Sequence, residues 1–208
     1  HNFIMWHRAI YQMDDPETKK ACAGIAWHPY EGDPEQAEIF RRRHPECENH
    51  WTEGDMIPGD FGGFGHVGPA RYRYARYAAS FIHALNCGMQ SITMWNLALD
   101  EDGYPNIGPF QCRGSVEIRR DLSGYHFAQD YDTLRHFSKF VKRGAKRIVI
   151  DDSQIPTHFR ICAFENPDGQ KVVLISNVEE FDSALEIEVD GKRIPLWILR
   201  ESINTLVI

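Results

Sequence analysis

Residues 22–53, CAGIAWHPYEGDPEQAEIFRRRHPECENHWTE, hold the reading that decides the fold. The apolar run from Cys22 to Tyr30 predicts a buried strand that ends in polar residues. Asp33-Pro34 supplies a helix N-cap and a first-turn proline, so a helix is expected through about Arg42. A second strand follows at Glu48 to Glu53, and Gly54 releases the chain into a loop. Strand, helix and strand in this order call for parallel pairing, because a parallel connection needs a crossover.

The same alternation continues downstream. After a glycine-rich loop from Gly59 to Gly68, Pro69 is expected to start the longest helix. Its apolar or small positions Ala70, Tyr74, Tyr77, Ala78, Phe81, Ile82 and Leu85 keep helical spacing, and Gly88 fits as its stop. Gln90 to Asn96 reads as a third strand, and a last helix is expected from about Gly124 to Phe140. The texture changes after Val141-Lys142-Arg143-Gly144. Short β-like runs at Arg147–Ile150, His158–Phe164, Lys171–Ser176, Ala184–Val189 and Ile203–Ile208 are separated by turns such as Asn166-Pro167-Asp168-Gly169 and Asp190-Gly191. The expected fold class is α/β plus all-β. Residues 1–140 read as α/β with parallel strands, and residues 141–208 as an all-β module.

Composition narrows the function classes. The 208 residues are 42% hydrophobic and 25% charged, as in an ordinary globular protein. A net charge of −7 argues against nucleic acid as a partner, since phosphate binding needs a basic surface. No apolar run approaches the roughly 20 residues of a membrane-spanning helix. The five cysteines lie far apart, without CxxC or Cys/His metal spacing, and most are expected to be buried thiols. The chain opens on His1-Asn2 with neither an initiator Met nor a signal-peptide pattern, which suggests a fragment.

Period-two alternation assigns faces to the strands. On the first, Gly24, Ala26 and His28 share one face, and Ile25 and Trp27 the other. On the third, Ser91, Thr93 and Trp95 share a face. His28, Tyr30, Glu53 and Trp95 therefore gather at the C-terminal ends of strands, the rim where a barrel places its chemistry. Such a set suits a sugar: an indole offers a flat apolar platform to a pyranose, and a carboxylate can attack the anomeric carbon. Each residue also has a plainer reading. Glu53 alone could be a surface acid, His28 a structural histidine, Trp95 a core residue and Tyr30 an ordinary strand-end tyrosine.

Six stretches resemble glycoside hydrolase family 30, which includes glucosylceramidases and β-1,6-glucanases. They are GIAWHPYEGDP (24–34), HWTEG (50–54), MWNLALDEDGYPN (94–106), HFSKFVKRGAKRI (136–148), NPDGQKVVLISN (166–177) and RESINTLVI (200–208). The resemblance implies that Glu53 is the nucleophile at the end of the seventh barrel strand. It implies that His28 and Tyr30 lie at the sixth-strand tip and that Trp95 lines the glycone pocket on the eighth. Asn96 and Asn106 belong to the same motif as substrate-binding candidates. Pro29 stands where glucosylceramidase-like members carry a Trp. The family's acid/base lies in an Asn-Glu pair ending the fourth strand, and no such pair occurs here in a fitting context. The resemblance implies that residues 1–140 are the C-terminal part of a (β/α)8 barrel whose strands one to five are missing, and residues 141–208 a β-sandwich that an N-terminal piece, also missing, helps complete.

The expectation is thus a retaining β-glycoside hydrolase whose acid lies outside this chain, with the isolated fragment inactive. The competing class is a non-catalytic carbohydrate-binding relative. No metal and no organic cofactor is implied. The implied partner is a carbohydrate or glycolipid substrate, and a secreted, periplasmic or lysosomal location goes with the resemblance. Nothing in the sequence specifies an oligomeric state.

Overall fold

The structure is a computed structural model, and it describes residues 2–54, 73–105, 107 and 112–208. The expected loop from Gly59 to Gly68 and the helix start at Pro69 lie outside the described residues. The chain forms two compact units. One comprises residues 1–67 and 84–131; the other comprises 68–83 and 132–208.

The first unit begins with a 3-10 turn at Phe3–Met5 and two short helices, α1 (Trp6–Asp14) and α2 (Pro16–Ala21), which the sequence reading did not foresee. Asp15 caps α2, accepting from the Thr18 backbone N–H at 2.8 Å with Pro16 in the first turn. β1 (Gly24–Trp27) and β2 (Glu48–Trp51) flank α3 (Pro34–Arg43), and α4 (Arg73–Asn86), which belongs to the second unit as far as His83, precedes β3 (Ser91–Ile92). Gln36 Oε1 accepts from the Asp33 backbone N–H at 2.9 Å where α3 starts. Arg41, Arg42 and Arg43 complement the helix dipole where it ends.

The three strands pair in parallel in the order β1-β2-β3, with Trp27 opposite Trp51 and Trp51 opposite Ile92. Each strand is shorter than expected, because at the polar tips the regular ladder gives way to single backbone hydrogen bonds. On one face, Trp27, Trp51, Phe3 and Phe40 are fully buried. Ring centroids lie 5.8 Å apart for Phe3–Trp27, 5.9 Å for Phe3–Trp51 and 5.9 Å for Trp27–Phe40. The bulky side of β1 therefore faces a helix, as alternation predicted. At the far end of α4 the Met89 backbone N–H donates to Ala84 O, a closure that stops the helix at Gly88.

A correction concerns residues 98–127. β4 (Ala98–Asp100), β5 (Val116–Ile118) and β6 (Tyr125–Phe127) form a small mixed sheet, β4 and β5 parallel and β5 and β6 antiparallel. The helix expected from Gly124 begins instead at Gln129, as α5 (Gln129–Ser138). Tyr125 and Phe127 alternate along one side of a strand, and aromatic residues favour a pleated surface. The Phe127 ring then stacks on Tyr131 at 4.1 Å as the helix begins.

The second unit holds a four-stranded antiparallel sheet in the order β12-β9-β8-β7 and a separate hairpin, β10-β11. These strands are β7 (Lys146–Ile148), β8 (Phe159–Glu165), β9 (Lys171–Asn177), β10 (Ser183–Val189), β11 (Lys192–Ile198) and β12 (Ser202–Val207). Phe159, Ile161, Ala163, Val173 and Ile175 point from the large sheet onto Leu185 and Ile198 of the hairpin, forming a sandwich core. The opposite face of β8 and β9, with Cys162, Phe164, Val172 and Leu174, is also buried. There the Ser176 hydroxyl donates to Ala75 O, and His136 Nδ1 meets Thr205 Oγ1 at 2.8 Å. β11 went unforeseen because Pro195 and the charged residues around it disguise its alternation, which a hairpin edge tolerates. Asp190 (φ 52°) and Gly191 (φ 74°) form the two-residue turn that joins β10 to β11. All five cysteines are free thiols, four of them buried and Cys22 exposed.

The parallel sheet carries a buried polar link. Trp27 Nε1 donates to Asn49 Oδ1 at 2.7 Å, and Gln90 Oε1 accepts from the Asn49 backbone N–H at 2.9 Å. Asn49→Ala strips the buried indole N–H of its acceptor and should cost about 1–3 kcal/mol. In the full-length protein this reads as a lower urea midpoint with an unchanged denaturant slope, followed by tryptophan fluorescence. An unmoved midpoint would show that the link contributes nothing.

Candidate functional site

Backbone hydrogen bonding continues past the assigned strand ends and brings three tips side by side. Phe3 N–H donates to His28 O at 3.2 Å, Thr52 N–H to Trp27 O at 3.0 Å, Thr93 N–H to Trp51 O at 2.8 Å and Trp95 N–H to Gly54 O at 2.7 Å. The residues after β1, β2 and β3 are thus neighbours by register, although they are far apart in sequence.

At the middle tip, the Glu53 carboxylate is held from both sides by the β1 tip. Tyr30 Oη donates to Glu53 Oε1 at 2.9 Å, and His28 Nε2 lies 3.5 Å from Oε2. The His28 and Tyr30 rings meet edge-on at 5.9 Å. Both His28 and Glu53 remain partly open, with 28% and 26% of their side chains exposed. Burial pulls the His28 pKa below the ordinary imidazole value, and the Glu53 charge works against that shift. His28 is therefore neutral near pH 7 and sits beside the carboxylate as a polar group.

Gly54 explains how Glu53 reaches this position. A Cβ at Gly54 would come within 2.9 Å of Trp51 Nε1 and 3.6 Å of Pro29 Cγ. Only a residue without a side chain lets the backbone turn directly over the buried indole. The Thr52-Glu53-Gly54 segment thereby leaves the ladder early and carries its carboxylate toward His28 and Tyr30.

Trp95 takes the third tip with 55% of its surface exposed, so it is not a core residue. Asn96 follows it, half-buried. Asn106 lies outside the described residues. The loop before it is tightly wound: Asp100 Oδ1 accepts from the backbone N–H groups of Asp102 (2.9 Å) and Tyr104 (2.8 Å). The structure thus brings Glu53, His28 and Tyr30 into direct contact and sets the Trp95 backbone against Gly54.

The sequence reading missed a second polar recess in the same unit. A groove of about 700 Å³ is lined by Glu101, Arg119, Arg120, Asp121 and His126. Arg120 pairs with Asp102, and His126 Nε2 lies 3.1 Å from Glu117 Oε2. Glu101, Arg119, Arg120 and Asp121 fall beside the short strands of a small sheet and His126 within one of them, so no spacing in the sequence signals them. None of the three tips lines it.

Comparison with known proteins relates the chain to one family of proteins. Residues 144–206 match the profile of the Glycosyl hydrolase family 30 beta sandwich domain. The Caenorhabditis elegans protein named "Putative glucosylceramidase 3" is 33% identical over 97% of this chain and 34% of its own length. The endo-1,6-beta-D-glucanase of Neurospora crassa is 26% identical over 95% of this chain and 42% of its own. The chain thus spans about a third to two fifths of these curated relatives. Among solved structures, SrfJ from Salmonella typhimurium shares the fold at a TM-score of 0.89, with 21% identity over 100% of this chain and 46% of that one. An endo-β1,6-glucanase shares it at 0.78, with 24% identity over 93% and 42%. Residues 144–206 thus carry the Glycosyl hydrolase family 30 beta sandwich domain, and the chain as a whole is similar to members of glycoside hydrolase family 30.

Proposed function

We propose that residues 1–140 are the C-terminal part of a (β/α)8 catalytic barrel and residues 141–208 its β-sandwich domain, and that the whole protein is a retaining β-glycoside hydrolase. The observation that carries the reading is the Glu53 carboxylate at a strand tip, held by Tyr30 Oη on one oxygen and faced by His28 on the other. Parallel pairing of β1, β2 and β3 supports the barrel assignment, because inward-facing strand tips are where such a fold gathers its catalytic groups.

In this reading Glu53 is the nucleophile. The phenol of Tyr30 fixes one carboxylate oxygen, so the other is free to approach the anomeric carbon. A second carboxylic acid, outside these residues, protonates the leaving oxygen as the C–O bond to the aglycone breaks. The glycosyl–enzyme ester is then hydrolysed by water, with the same residue acting as base. Retention requires the two carboxyls to be about 5–5.5 Å apart. Trp95 presents an exposed indole face to the sugar ring, and Asn96 and Asn106 supply hydrogen bonds to its hydroxyls. No metal or organic cofactor takes part in these steps.

The likeness to glucosylceramidases and an endo-1,6-β-glucanase supports a carbohydrate or glycolipid substrate, and a secreted, periplasmic or lysosomal location goes with the same reading. Among the described residues no helix is long and apolar enough to cross a membrane. The competing reading, a carbohydrate-binding relative without catalysis, keeps the same tips but dispenses with the second carboxyl.

Glu53→Gln in the full-length protein should reduce kcat by orders of magnitude while leaving the fold intact, as read with an aryl β-glucoside and circular dichroism. Near-normal turnover would remove Glu53 from the mechanism and favour the binding reading. The His28 environment gives an independent check. Its folded-state pKa lies below the unfolded value of about 6.5, so the unfolded chain binds more protons beneath that pH. This contribution to stability is complete at neutral pH and is lost on acidification through that window. Glu53→Gln removes the one charge that raises the His28 pKa, so NMR titration of its Cε1–H should move further down. An upward move would contradict the contact.

A further inference from the structure

We propose that His44, Glu46 and Cys47 form a binding site for one thiophilic divalent transition-metal ion of the Zn²⁺ class, with Lys19 competing for it. The site lies in the turn between α3 and β2, at the opposite end of β2 from Glu53. It does not depend on the glycosidase reading.

The donor atoms are already gathered. One ligand atom from each of the three residues lies within 4.8 Å of the other two. His44 Nδ1 is 3.7 Å from Glu46 Oε1, and the Cys47 thiol faces the same oxygen at 3.8 Å. The turn is closed by a backbone hydrogen bond from Cys47 N–H to His44 O at 3.1 Å, which keeps all three side chains on one short loop. Ligands around one tetrahedral zinc ion stand about 3.5 Å apart, so the cluster needs to contract only slightly. Imidazole, thiolate and carboxylate are zinc's own donor types, and three of them leave a fourth position for water.

The second observation is the setting of His44. Its side chain is only 5% exposed, its Nε2 lies 3.1 Å from Asp14 Oδ1, and its Nδ1 is the ring atom turned toward Glu46. With the ring proton on Nε2 facing Asp14, Nδ1 keeps the lone pair a metal needs, the carboxylate–histidine–metal arrangement that orients such ligands. Arg43 holds the Asp14 carboxylate in place, its guanidinium 3.1 Å from Oδ2.

At present Lys19 pairs with Glu46 Oε1, the oxygen that faces both other donors. An ammonium there occupies the place of a cation. Metal entry displaces it to solvent, which its 40% exposure allows, and releases the Cys47 thiol proton to water.

Chelator-stripped full-length protein titrated with Co²⁺ alone should take up one equivalent and develop a thiolate-to-cobalt charge-transfer band, which Zn²⁺ then bleaches. Cys47→Ser should abolish the band, and Cys22→Ser, at the exposed cysteine, should leave it. Lys19→Met should tighten Co²⁺ binding several-fold, because it removes the competing charge. A merely structural ion-pair knot predicts no such gain. Absence of the band, its survival in Cys47→Ser, or unchanged or weaker binding in Lys19→Met overturns the proposal. The Lys19 substitution lies at the surface, so the test stays decisive even where Cys47→Ser fails to fold.

Discussion

Trp27 and Trp51 are register partners on adjacent parallel strands, and both are buried beneath Phe3 and Phe40. Much of the first unit follows from that pairing. A slip of one residue would turn an indole toward the open face and leave Asn49 without the Trp27 N–H it accepts. Burial of large apolar rings at roughly 1.5–3 kcal/mol each makes such slips costly. The register in turn decides which tip residues can meet. With Trp27 against Trp51, the residues beyond them, Tyr30 and Glu53, arrive within hydrogen-bonding reach.

The second unit is held by a different arrangement. Its central strands β8 and β9 are buried on both faces, one against the β10-β11 hairpin and the other under helical residues of the same unit. That double cover explains the near-continuous apolar runs in Phe159–Glu165 and Lys171–Asn177. The hairpin, covered on one face, alternates Leu185 and Ile187 inward with Glu186 and Glu188 outward. Asn166 links helix and sheet, donating to Phe140 O and accepting from the Lys142 N–H. The Asn-Pro-Asp-Gly turn is thus a structural joint as much as a reversal.

β2 carries chemistry at both ends. Glu53 lies beyond its C-terminal end, faced by neutral polar groups from the neighbouring strand. His44, Glu46 and Cys47 lie before its N-terminal end, beside Asp14 and Lys19 from the first two helices. The first set leaves a carboxylate accessible for reaction. The second buries an imidazole and a thiol among charges, a setting suited to holding rather than transforming.

The elements legible in the sequence were those with strong local chemistry. Asp33-Pro34 marked the start of α3, Gly88 marked the end of α4, and the runs of β8 and β9 were too apolar to be anything but buried. β11 and β6 were not legible, because Pro195 and the Tyr125-His126-Phe127 triplet fit a strand only once a partner strand is present. Helix α1 does carry helical spacing at Trp6, Ala9, Ile10 and Met13, whereas α2 is short and has no buried residue to signal it. By itself, the sequence determined the α/β-then-β order, the family likeness and the residue types at the strand tips. Tertiary structure alone decided where those side chains point. Strict alternation would put Glu53 on the same side as Trp51, against the helices. The chain instead leaves the ladder after Thr52 and crosses the Trp51 indole at Gly54, and non-local contacts with the β1 tip hold the carboxylate against His28 and Tyr30.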